Sequence, residues 1–271
     1  MAAGLAARLG LSTTCHQGTA VHSADMTYST HHTADGRAIA YHYTQGDGPC
    51  VVFLGGFKSD MTGTKAQFLQ SWAQAQGRAF LRFDYTGHGA SSGRFEGGCI
   101  GDWARDAIDI ITDITTGPLL LVGSSMGGWI SLLVARALPD RLAGLVGIAA
   151  APDFTEDSMW AGFSDAERKA LMAQGHIALP SDYDEPYIIT RKLIEDGRNQ
   201  LVLRSPLQMD VPVRLLQGSA DIDVLPEVAQ RLFDHLQGND IRLTIVKGSD
   251  HRFSGEAELA LIAQTIEEII A

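Results

Sequence analysis

The residues that most clearly could carry out catalysis are two adjacent serines flanked by glycines. Ser125 lies at the centre of Gly123-Ser124-Ser125-Met126-Gly127, a GxSxG pattern within LLLVGSSMGGW (119–129). An apolar run typical of a strand precedes it, and a run with helical spacing follows. In this context the serine sits on a tight, strained turn whose glycines avoid collisions with the neighbouring strand and helix. The pattern predicts that Ser125 is a nucleophile, with Ser124 as the alternative.

A nucleophilic serine needs a base to take its proton and a carboxylate to orient that base. Asp221 lies in LLQGSADIDVLP, after a predicted strand at 213–218, and His251 lies in VKGSDHRF, after a predicted strand at 241–246. Because parallel strands end at the same edge of a sheet, both residues should reach the edge that carries Ser125. We therefore predict Asp221 as the acid and His251 as the general base.

Other acids and histidines compete for these roles. Asp223 stays open as the acid, whereas Asp250 is expected to position its own loop. His88, in DYTGHGASSG, is interpreted as an exposed loop residue, and His176 is an alternative contact for the substrate. The other histidines are interpreted as structural or solvated: His16, His22, His31, His32, His42 and His235.

Attack by the serine places negative charge on the carbonyl oxygen, and fixed backbone N–H groups stabilise that charge. One donor is expected at Met126, directly after the nucleophile, and the other in the LGGF segment that ends the next predicted strand upstream. We assign the second donor to Phe57, because Gly55 and Gly56 let this loop approach the serine. Gly56 is placed at the substrate site for the same reason.

Alternating strands and helices must position these groups. A hairpin around Asp35-Gly36 opens the pattern, since DG between alternating segments is a strong turn signal. Strands separated by helices then predict a mostly parallel central sheet flanked by helices, which is an α/β fold. The predicted strands are 27–32, 38–44, 50–56, 79–84, 119–123, 142–150, 213–218 and 241–246, and the predicted helices are 60–76, 102–114, 126–138, 226–236 and 256–270.

The alternation stops at about residues 152–207, where two or three amphipathic helical pieces are predicted. We expect this insertion to form a small helical cap over the carboxyl edge of the sheet, where ligands of such sheets bind. Its large apolar side chains either line an acyl-chain site or pack the cap itself. They are Phe154, Met159, Trp160, Phe163 and Tyr187, of which Phe154, Trp160 and Tyr187 are placed at the substrate site.

Composition excludes several classes of function. The chain has 271 residues with 21 Lys and Arg against 32 Asp and Glu, a formal net charge of −11, which disfavours nucleic acid and anionic membrane surfaces as partners. No apolar run approaches the roughly 18 residues of a transmembrane helix. The three cysteines are odd in number and lack CxxC spacing, so neither a disulfide framework nor a thiolate zinc site is expected.

The first 25 residues differ from the rest of the chain. They are rich in Ala, Ser and Thr, with one Arg and no acid before Asp25. We interpret residues 1–25 as a flexible extension or a weak targeting segment, and residues 26–271 as one hydrolase domain. The expected compartment is the cytoplasm, with the mitochondrial matrix as the alternative. The sequence leaves the oligomeric state open.

Five segments together resemble a known family. They are LGGFKSDMTGTKA (54–66), RFDYTGHGASSG (82–93), LVGSSMGGW (121–129), RLLQGSADIDVLP (214–226) and GSDHRF (248–253). They are similar to α/β-hydrolase-domain serine esterases related to a mitochondrial enzyme of animals, described both as a palmitoyl-protein thioesterase and as the mycophenolic acid acyl-glucuronide esterase. The resemblance runs from about residue 35 to the end of the chain, although the insertion differs in detail.

The resemblance implies an α/β-hydrolase fold and hydrolysis of carboxylic esters or acyl thioesters without a metal or organic cofactor. Ser125, Asp221 and His251 fall on the triad positions of the family, and Phe57 and Met126 fall on its oxyanion positions. The expected substrate is a small-molecule ester or an acylated protein.

Two alternative functions stay open. The first is a carbon–carbon bond hydrolase of ring-cleavage products, which would use basic groups of the insertion such as Arg191, Lys192 and Arg198. The second is a non-catalytic binding protein on the same fold, because a fold does not determine function.

Overall fold

The computed structural model describes residues 28–179 and 186–270. Its strands in chain order are β1 (Ser29–His32), β2 (Ala38–Thr44), β3 (Asp47–Leu54), β4 (Arg78–Phe83), β5 (Leu119–Ser124), β6 (Leu142–Ile148), β7 (His176–Leu179), β8 (Tyr187–Thr190), β9 (Leu207–Gln208), β10 (Val213–Gly218), β11 (Leu236–Gln237) and β12 (Ile241–Val246). Its α-helices are α1 (Thr64–Ala75), α2 (Ile100–Ile114), α3 (Met126–Ala137), α4 (Asp165–Gln174), α5 (Arg191–Asn199), α6 (Pro226–His235) and α7 (Glu256–Ile270).

A central sheet of eight strands organises the described residues, in the order β1-β2-β4-β3-β5-β6-β10-β12. Strand β2 is antiparallel to both of its neighbours, and every other pairing in the sheet from β4 to β12 is parallel. Parallel strands require helical crossovers, which is why helices alternate with strands along the chain. The predicted mostly parallel sheet with a leading antiparallel hairpin is confirmed.

Helices cover both faces of the sheet. Leu69 of α1 and Ile262 of α7 belong to one buried cluster, and Trp103 of α2 and Trp129 of α3 belong to the other. All six residues of β5 are buried, as expected for a central strand covered on both faces. The core therefore consists of two apolar layers, and β5 delivers its carboxyl end to the middle of the sheet edge.

The predicted strands and helices of the sheet framework lie close to the observed ones, with two instructive differences. Helix α1 begins at Thr64 rather than at residue 60, because the Asp60 carboxylate accepts the Thr62 N–H at 2.7 Å and shapes a turn. Strand β6 ends at Ile148 rather than at residue 150, because Ala149 takes a φ of 45° that an extended strand excludes.

The inserted segment between β6 and β10 contains helical pieces, as predicted, and in addition an antiparallel pair of strands that the sequence analysis did not predict. After a π-helical turn at Thr155–Trp160 come α4, the antiparallel pair β7 and β8, and α5. Tyr187–Thr190 reads YIIT, and such β-branched and aromatic residues favour strands. Helix α4 is closed at its start by a capping box between Ser164 and Glu167, as its sequence favours.

The two ends of the insertion are tied to each other at the sheet. The fully buried Asp153 carboxylate accepts the backbone N–H groups of Val202 at 2.8 Å and Leu203 at 3.0 Å, and it pairs with the Arg204 guanidinium. Burial raises the pKa of Asp153 above its ordinary value. These bonds fix where the insertion leaves and rejoins the sheet. None of the helices in residues 28–179 and 186–270 is long and apolar enough to cross a membrane.

Candidate active site

Ser125 occupies the turn between β5 and α3. Its backbone has φ 55° and ψ −119°, a conformation that non-glycine residues rarely adopt and that stores strain of about 1–3 kcal/mol. Neighbouring backbone over-determines this geometry: the Ser125 N–H donates to Ile148 at 2.9 Å, and its carbonyl accepts from Gly128 at 2.9 Å and Ala151 at 3.0 Å. The fold therefore holds the serine at the carboxyl edge of the sheet.

The two outer glycines of the GxSxG pattern are required by close backbone contacts. A Cβ on Gly123 would lie 2.3 Å from the carbonyl oxygen of Gly127, and a Cβ on Gly127 would lie 2.0 Å from that of Leu54. Both distances are far inside van der Waals contact. Glycine is thus required at both positions because α3 packs closely against β5 and β3.

Ser125, His251 and Asp221 form a continuous chain of hydrogen bonds. The Oγ of Ser125 lies 3.1 Å from Nε2 of His251, and Nδ1 of His251 lies 2.9 Å from Oδ2 of Asp221. A carboxylate accepts hydrogen bonds, so Nδ1–H donates and Nε2 keeps its lone pair for the serine hydroxyl. The structure brings together the three residues that the sequence singles out, and in the predicted order.

Several donors converge on the Asp221 carboxylate, which is fully buried. Oδ1 accepts the N–H groups of Asp223 at 2.9 Å and Val224 at 2.8 Å, and Oδ2 accepts the Gln217 amide at 3.0 Å in addition to His251. These donors compensate the burial of a negative charge. Gln217 is a site residue that sequence reasoning missed; its position near the end of a strand before the acid is the signal that could have found it.

Asp223, the alternative acid, lies close by but is oriented differently. It is exposed, and its backbone N–H serves the Asp221 carboxylate. Ligand atoms of Asp221, Asp223 and His251 lie within 4.8 Å of one another. Both ring nitrogens of His251 are nevertheless engaged by Asp221 and Ser125, so this cluster lacks a free imidazole ligand for a metal ion.

The predicted oxyanion loop lies directly against the serine. A Cβ on Gly56 would sit 3.4 Å from Ser125 Cβ, so the loop after β3 touches the turn that carries Ser125. Met126 opens α3 immediately after Ser125, and its backbone N–H is among the first helical donors, which have no partner within a helix. The described residues contain no acceptor for the N–H of Phe57 or Met126. Both groups are therefore free to serve a ligand oxygen.

Aromatic rings surround this loop. The Phe57 ring lies 5.7 Å from that of Phe154 and 6.4 Å from that of Tyr187, both in the insertion. It also packs edge-on against Phe95 at 4.8 Å, and Phe154 meets Trp129 at 5.6 Å. Phe154 and Tyr187, predicted at the substrate site, thus contact Phe57 of the predicted oxyanion loop, and their rings form an apolar wall beside it.

Trp160, also predicted at the substrate site, has a different environment. Two guanidinium groups lie over its ring, that of Arg168 at 5.4 Å and that of Arg198 at 4.6 Å. Such cation–π contacts occupy the ring faces that a substrate would need. The structure thus places Trp160 within the packing of the insertion.

The basic residues that the carbon–carbon hydrolase alternative would use are engaged in ion pairs. Lys192 donates to Asp102 at 2.6 Å, and Arg198 pairs with Glu156 at 2.7 Å. Arg191 lies 3.6 Å from Glu195 on the same helix. His176, the alternative substrate contact, is exposed at the start of β7.

His88 is buried, so its interpretation as an exposed loop residue is wrong. Its ring packs edge-on against Tyr85, Phe95 and Trp103, with centroids 5.1 to 5.5 Å apart. Burial lowers the pKa of His88 to about 4, which keeps the ring neutral at physiological pH. The glycine-rich sequence around His88 is typical of an exposed loop and does not indicate its packing against Tyr85, Phe95 and Trp103.

Two surface clefts lie elsewhere on the protein. One, of about 490 Å³, is lined by polar residues of α6, and the other, of about 270 Å³, lies between α2 and α3. Neither includes Ser125, Asp221 or His251. The candidate active site is therefore identified from the hydrogen-bonded chain of these three residues and not from either of these clefts.

Comparison with known proteins identifies the family of this chain. The sequence pattern of the family described as serine aminopeptidase, S33, matches residues 48–192. Human palmitoyl-protein thioesterase ABHD10, mitochondrial, is 34% identical over 235 residues, which cover 86% of this chain and 76% of the human protein. The chain belongs to this serine aminopeptidase S33 family.

Solved structures place this family member among the α/β-hydrolases. A hydrolase from Agrobacterium vitis S4 matches with a TM-score of 0.86 at 38% identity, over 90% of this chain and 100% of that one. Alpha/beta hydrolase domain-containing protein 10 from mouse matches with a TM-score of 0.83 at 31% identity, over 90% of this chain and 98% of that one. The predicted fold, the resemblance and the assignment as a hydrolytic enzyme are confirmed.

Proposed function

We propose that this protein hydrolyses carboxylic esters or acyl thioesters through a covalent acyl-enzyme, with Ser125 as nucleophile, His251 as general base and Asp221 as the orienting acid. The observation that carries the proposal is the hydrogen-bonded chain from Ser125 to His251 at 3.1 Å and from His251 to Asp221 at 2.9 Å. A nucleophile within reach of a base, itself oriented by a third group, is the arrangement that such catalysis requires.

In the first step Nε2 of His251 takes the hydroxyl proton of Ser125 as Oγ attacks the acyl carbon. The oxygen of the acyl group becomes negatively charged and accepts from the N–H groups of Phe57 and Met126. His251 then passes its proton to the departing alcohol or thiol. Asp221 stays ionised throughout and stabilises the imidazolium that forms between the two proton transfers.

In the second step water replaces the leaving group. His251 takes a proton from this water as it attacks the acyl carbon of the ester formed on Ser125. The tetrahedral intermediate uses the same two N–H donors, and its collapse returns the proton to Ser125 Oγ and releases the acid. The cycle consumes one water molecule and leaves the protein unchanged.

The environment of Ser125 supports an apolar acyl group. Phe57, Phe154 and Tyr187 form the apolar wall beside the proposed oxyanion loop, and burial of apolar surface contributes roughly 25 cal/mol for each Å². The name of the mammalian relatives, palmitoyl-protein thioesterase, agrees with a long acyl chain. An acyl-glucuronide is a second ester class that the same triad would cleave. The ion pairs of Arg191, Lys192 and Arg198 weigh against the carbon–carbon hydrolase alternative.

The compartment is a separate proposal. The mammalian relatives are named mitochondrial, which supports the mitochondrial matrix over the cytoplasm for this chain. The candidate targeting segment, residues 1–25, lies outside the described residues. Fractionation of cells that express the full chain tests this proposal.

The deciding experiment is hydrolysis of p-nitrophenyl esters from C2 to C16, with matching acyl thioesters, by the wild type and Ser125→Ala. Ser124→Ala is the matched control, since it removes the neighbouring hydroxyl and leaves the proposed nucleophile. Removal of the nucleophile should lower kcat by a factor of about 10⁶, whereas the control should stay near the wild type. The optimum of the length series identifies the acyl class.

Two further assays separate the alternatives. A fluorophosphonate probe should label the wild type and not Ser125→Ala, because labelling requires an activated serine and a binding pocket alone does not suffice. An amino-acid p-nitroanilide tests the peptidase activity that the description of the family names, and we expect no turnover of it. A folded wild type that neither labels nor hydrolyses any ester would refute the proposed function.

A further inference from the structure

Two sequence segments meet in the structure, one of which the proposed mechanism leaves without a role and the other of which contains the proposed base. SDMTGTKA (59–66) leads into α1, and GSDHRF (248–253) surrounds His251. The side-chain ammonium of Lys65 donates a hydrogen bond to the backbone carbonyl of Arg252, 187 positions along the chain. This bond joins the first turn of α1 to the residue that follows the proposed general base.

We propose that Lys65 is a positioning residue, which holds the His251 loop at a fixed distance from the oxyanion loop and thereby aligns the base with Ser125. The inference rests on the proposed roles of these groups. Its physical basis is that the oxyanion loop after β3 runs directly into α1, so one cation spans from the oxyanion side of the site to the base side.

The Lys65 end of this connection is fixed. Directly upstream, the backbone N–H of the buried Met61 donates to the Asp84 carboxylate at 2.6 Å, and the Arg82 guanidinium donates to the Met61 carbonyl. Gln67 continues the helix by donating to Gly63 at 3.1 Å. The side chain of Lys65 therefore extends from backbone that is held by hydrogen bonds, so its own bond can hold the Arg252 carbonyl in place.

The other contacts of the His251 loop run in different directions. The Gly248 N–H donates to the Ser219 hydroxyl at 2.8 Å, which ties the loop to the acid loop after β10. The Ser249 hydroxyl donates to Glu258 at 2.5 Å, which ties it to α7. These contacts fix the loop toward the acid and toward α7, and the bond from Lys65 fixes it toward the oxyanion loop.

The charge of Lys65 depends on pH within an accessible range. Burial lowers the pKa of its ammonium to about 8; Asp250 opposes this shift, and Arg252 adds to it. A charged donor forms a shorter and stronger hydrogen bond to a carbonyl than a neutral amine does. The bond to the His251 loop should therefore weaken as the pH rises through about 8.

The test compares Lys65→Met and Lys65→Arg with the wild type, measuring kcat and KM for the best ester from pH 6 to pH 10. Lys247→Met is the matched control, because Lys247 is exposed on the same loop before His251. Lys65→Met should lower kcat by about 10- to 100-fold, since misplacement of a catalytic group by about 1 Å costs on this order. KM should change by less than about twofold, because Lys65 bonds to the His251 loop and is not part of the proposed apolar wall for the acyl group.

The pH profile separates positioning from a merely structural role. The wild type and Lys247→Met should lose activity above pH 8, whereas Lys65→Arg, with a cation that does not titrate, should keep its activity there. Should Lys65→Met fail to fold, Lys65→Arg still decides: an alkaline loss like that of the wild type would overturn the inference. A folded Lys65→Met with wild-type kcat and profile would overturn it too. Failure of the proposed function has a different signature, an inactive wild type.

Discussion

The Asp221 carboxylate divides its two oxygens between two tasks. Oδ2 lies 2.9 Å from Nδ1 of His251, while Oδ1 accepts the backbone N–H groups that close the loop behind it. The same carboxylate thus orients the imidazole of His251 and stabilises the turn that carries Asp221 itself. The nearby Asp223 has only its backbone N–H in this arrangement.

Replacing the two acids separately should give unequal effects. Asp221→Asn should lower kcat by about 10⁴-fold, because the amide favours the wrong tautomer of the histidine. Asp223→Asn should stay within about threefold, since an exposed side chain is exchanged and its backbone donor remains. Steady-state kinetics on one p-nitrophenyl ester measures both. If Asp223→Asn lost most of its activity and Asp221→Asn kept it, Asp223 and not Asp221 would be the acid.

Adding one methyl group at Gly127 should disrupt the turn that carries Ser125. Alanine normally stabilises a helix by about 1 kcal/mol relative to glycine, but here the new Cβ would lie 2.0 Å from the Leu54 carbonyl oxygen. We expect Gly127→Ala to lower the free energy of unfolding by about 1–3 kcal/mol and to reduce activity strongly. Urea denaturation measures the stability.

Gly162→Ala is the control for this effect, because its new Cβ would meet nothing within 4 Å. This substitution should leave stability unchanged or slightly raised. If both alanine variants unfold at the same urea concentration as the wild type, the close approach of α3 to β3 is not a constraint.

Much of the fold was predictable because the central strands contain short apolar runs bounded by turn residues, as β5 does, and the intervening helices have helical spacing of their apolar residues. The proximity of Ser125, His251 and Asp221, the proposed triad, followed from their places at three strand ends, since a parallel sheet gathers those ends at one edge. His88 and Gln217 were not predictable in the same way. Their roles depend on burial against aromatic rings and on a bond to Asp221, which local sequence does not encode.

The insertion shows the limit of periodicity. Tyr187–Thr190 is too short to distinguish a strand from a helical turn by its pattern, and its partner β7 is equally short. Trp160 shows a second limit, because an aromatic residue in a cap fits either substrate or packing. Only the positions of Arg168 and Arg198 relative to its ring separate the two.

Phe154 and Trp160 should therefore differ in their influence on acyl-chain length. Phe154→Ala removes apolar surface beside the proposed oxyanion residue Phe57, so it should lower kcat/KM for long-chain esters about tenfold or more and spare acetate esters. Trp160→Ala should lower the free energy of unfolding and leave the dependence of kcat/KM on acyl-chain length unchanged. The C2 to C16 series measures both variants, and a shortened profile in Trp160→Ala alone would reverse the assignment.

His88 should make the stability of the protein depend on acid pH. Its folded-state pKa of about 4 lies below the ordinary 6.5, because burial disfavours the charged ring. As the pH falls below 6.5, the unfolded chain binds a proton at His88 that the folded chain does not bind. The contribution of neutral His88 to the free energy of unfolding is therefore fully present above pH 6.5 and decreases as the pH falls toward 4. At pH 5 the loss should reach about 2 kcal/mol, at 1.36 kcal/mol per pKa unit.

His88→Leu removes the titrating ring from this aromatic pocket and should flatten the fall in stability between pH 7 and pH 5. His32→Leu, at an exposed position of β1, should keep the wild-type slope. Urea denaturation at pH 7, 6 and 5 gives the free energy of unfolding for all three proteins, and titration of the carboxylates is common to them. A slope in His88→Leu equal to that of the wild type would mean that the ring takes up a proton as readily in the folded as in the unfolded protein, against its burial among Tyr85, Phe95 and Trp103.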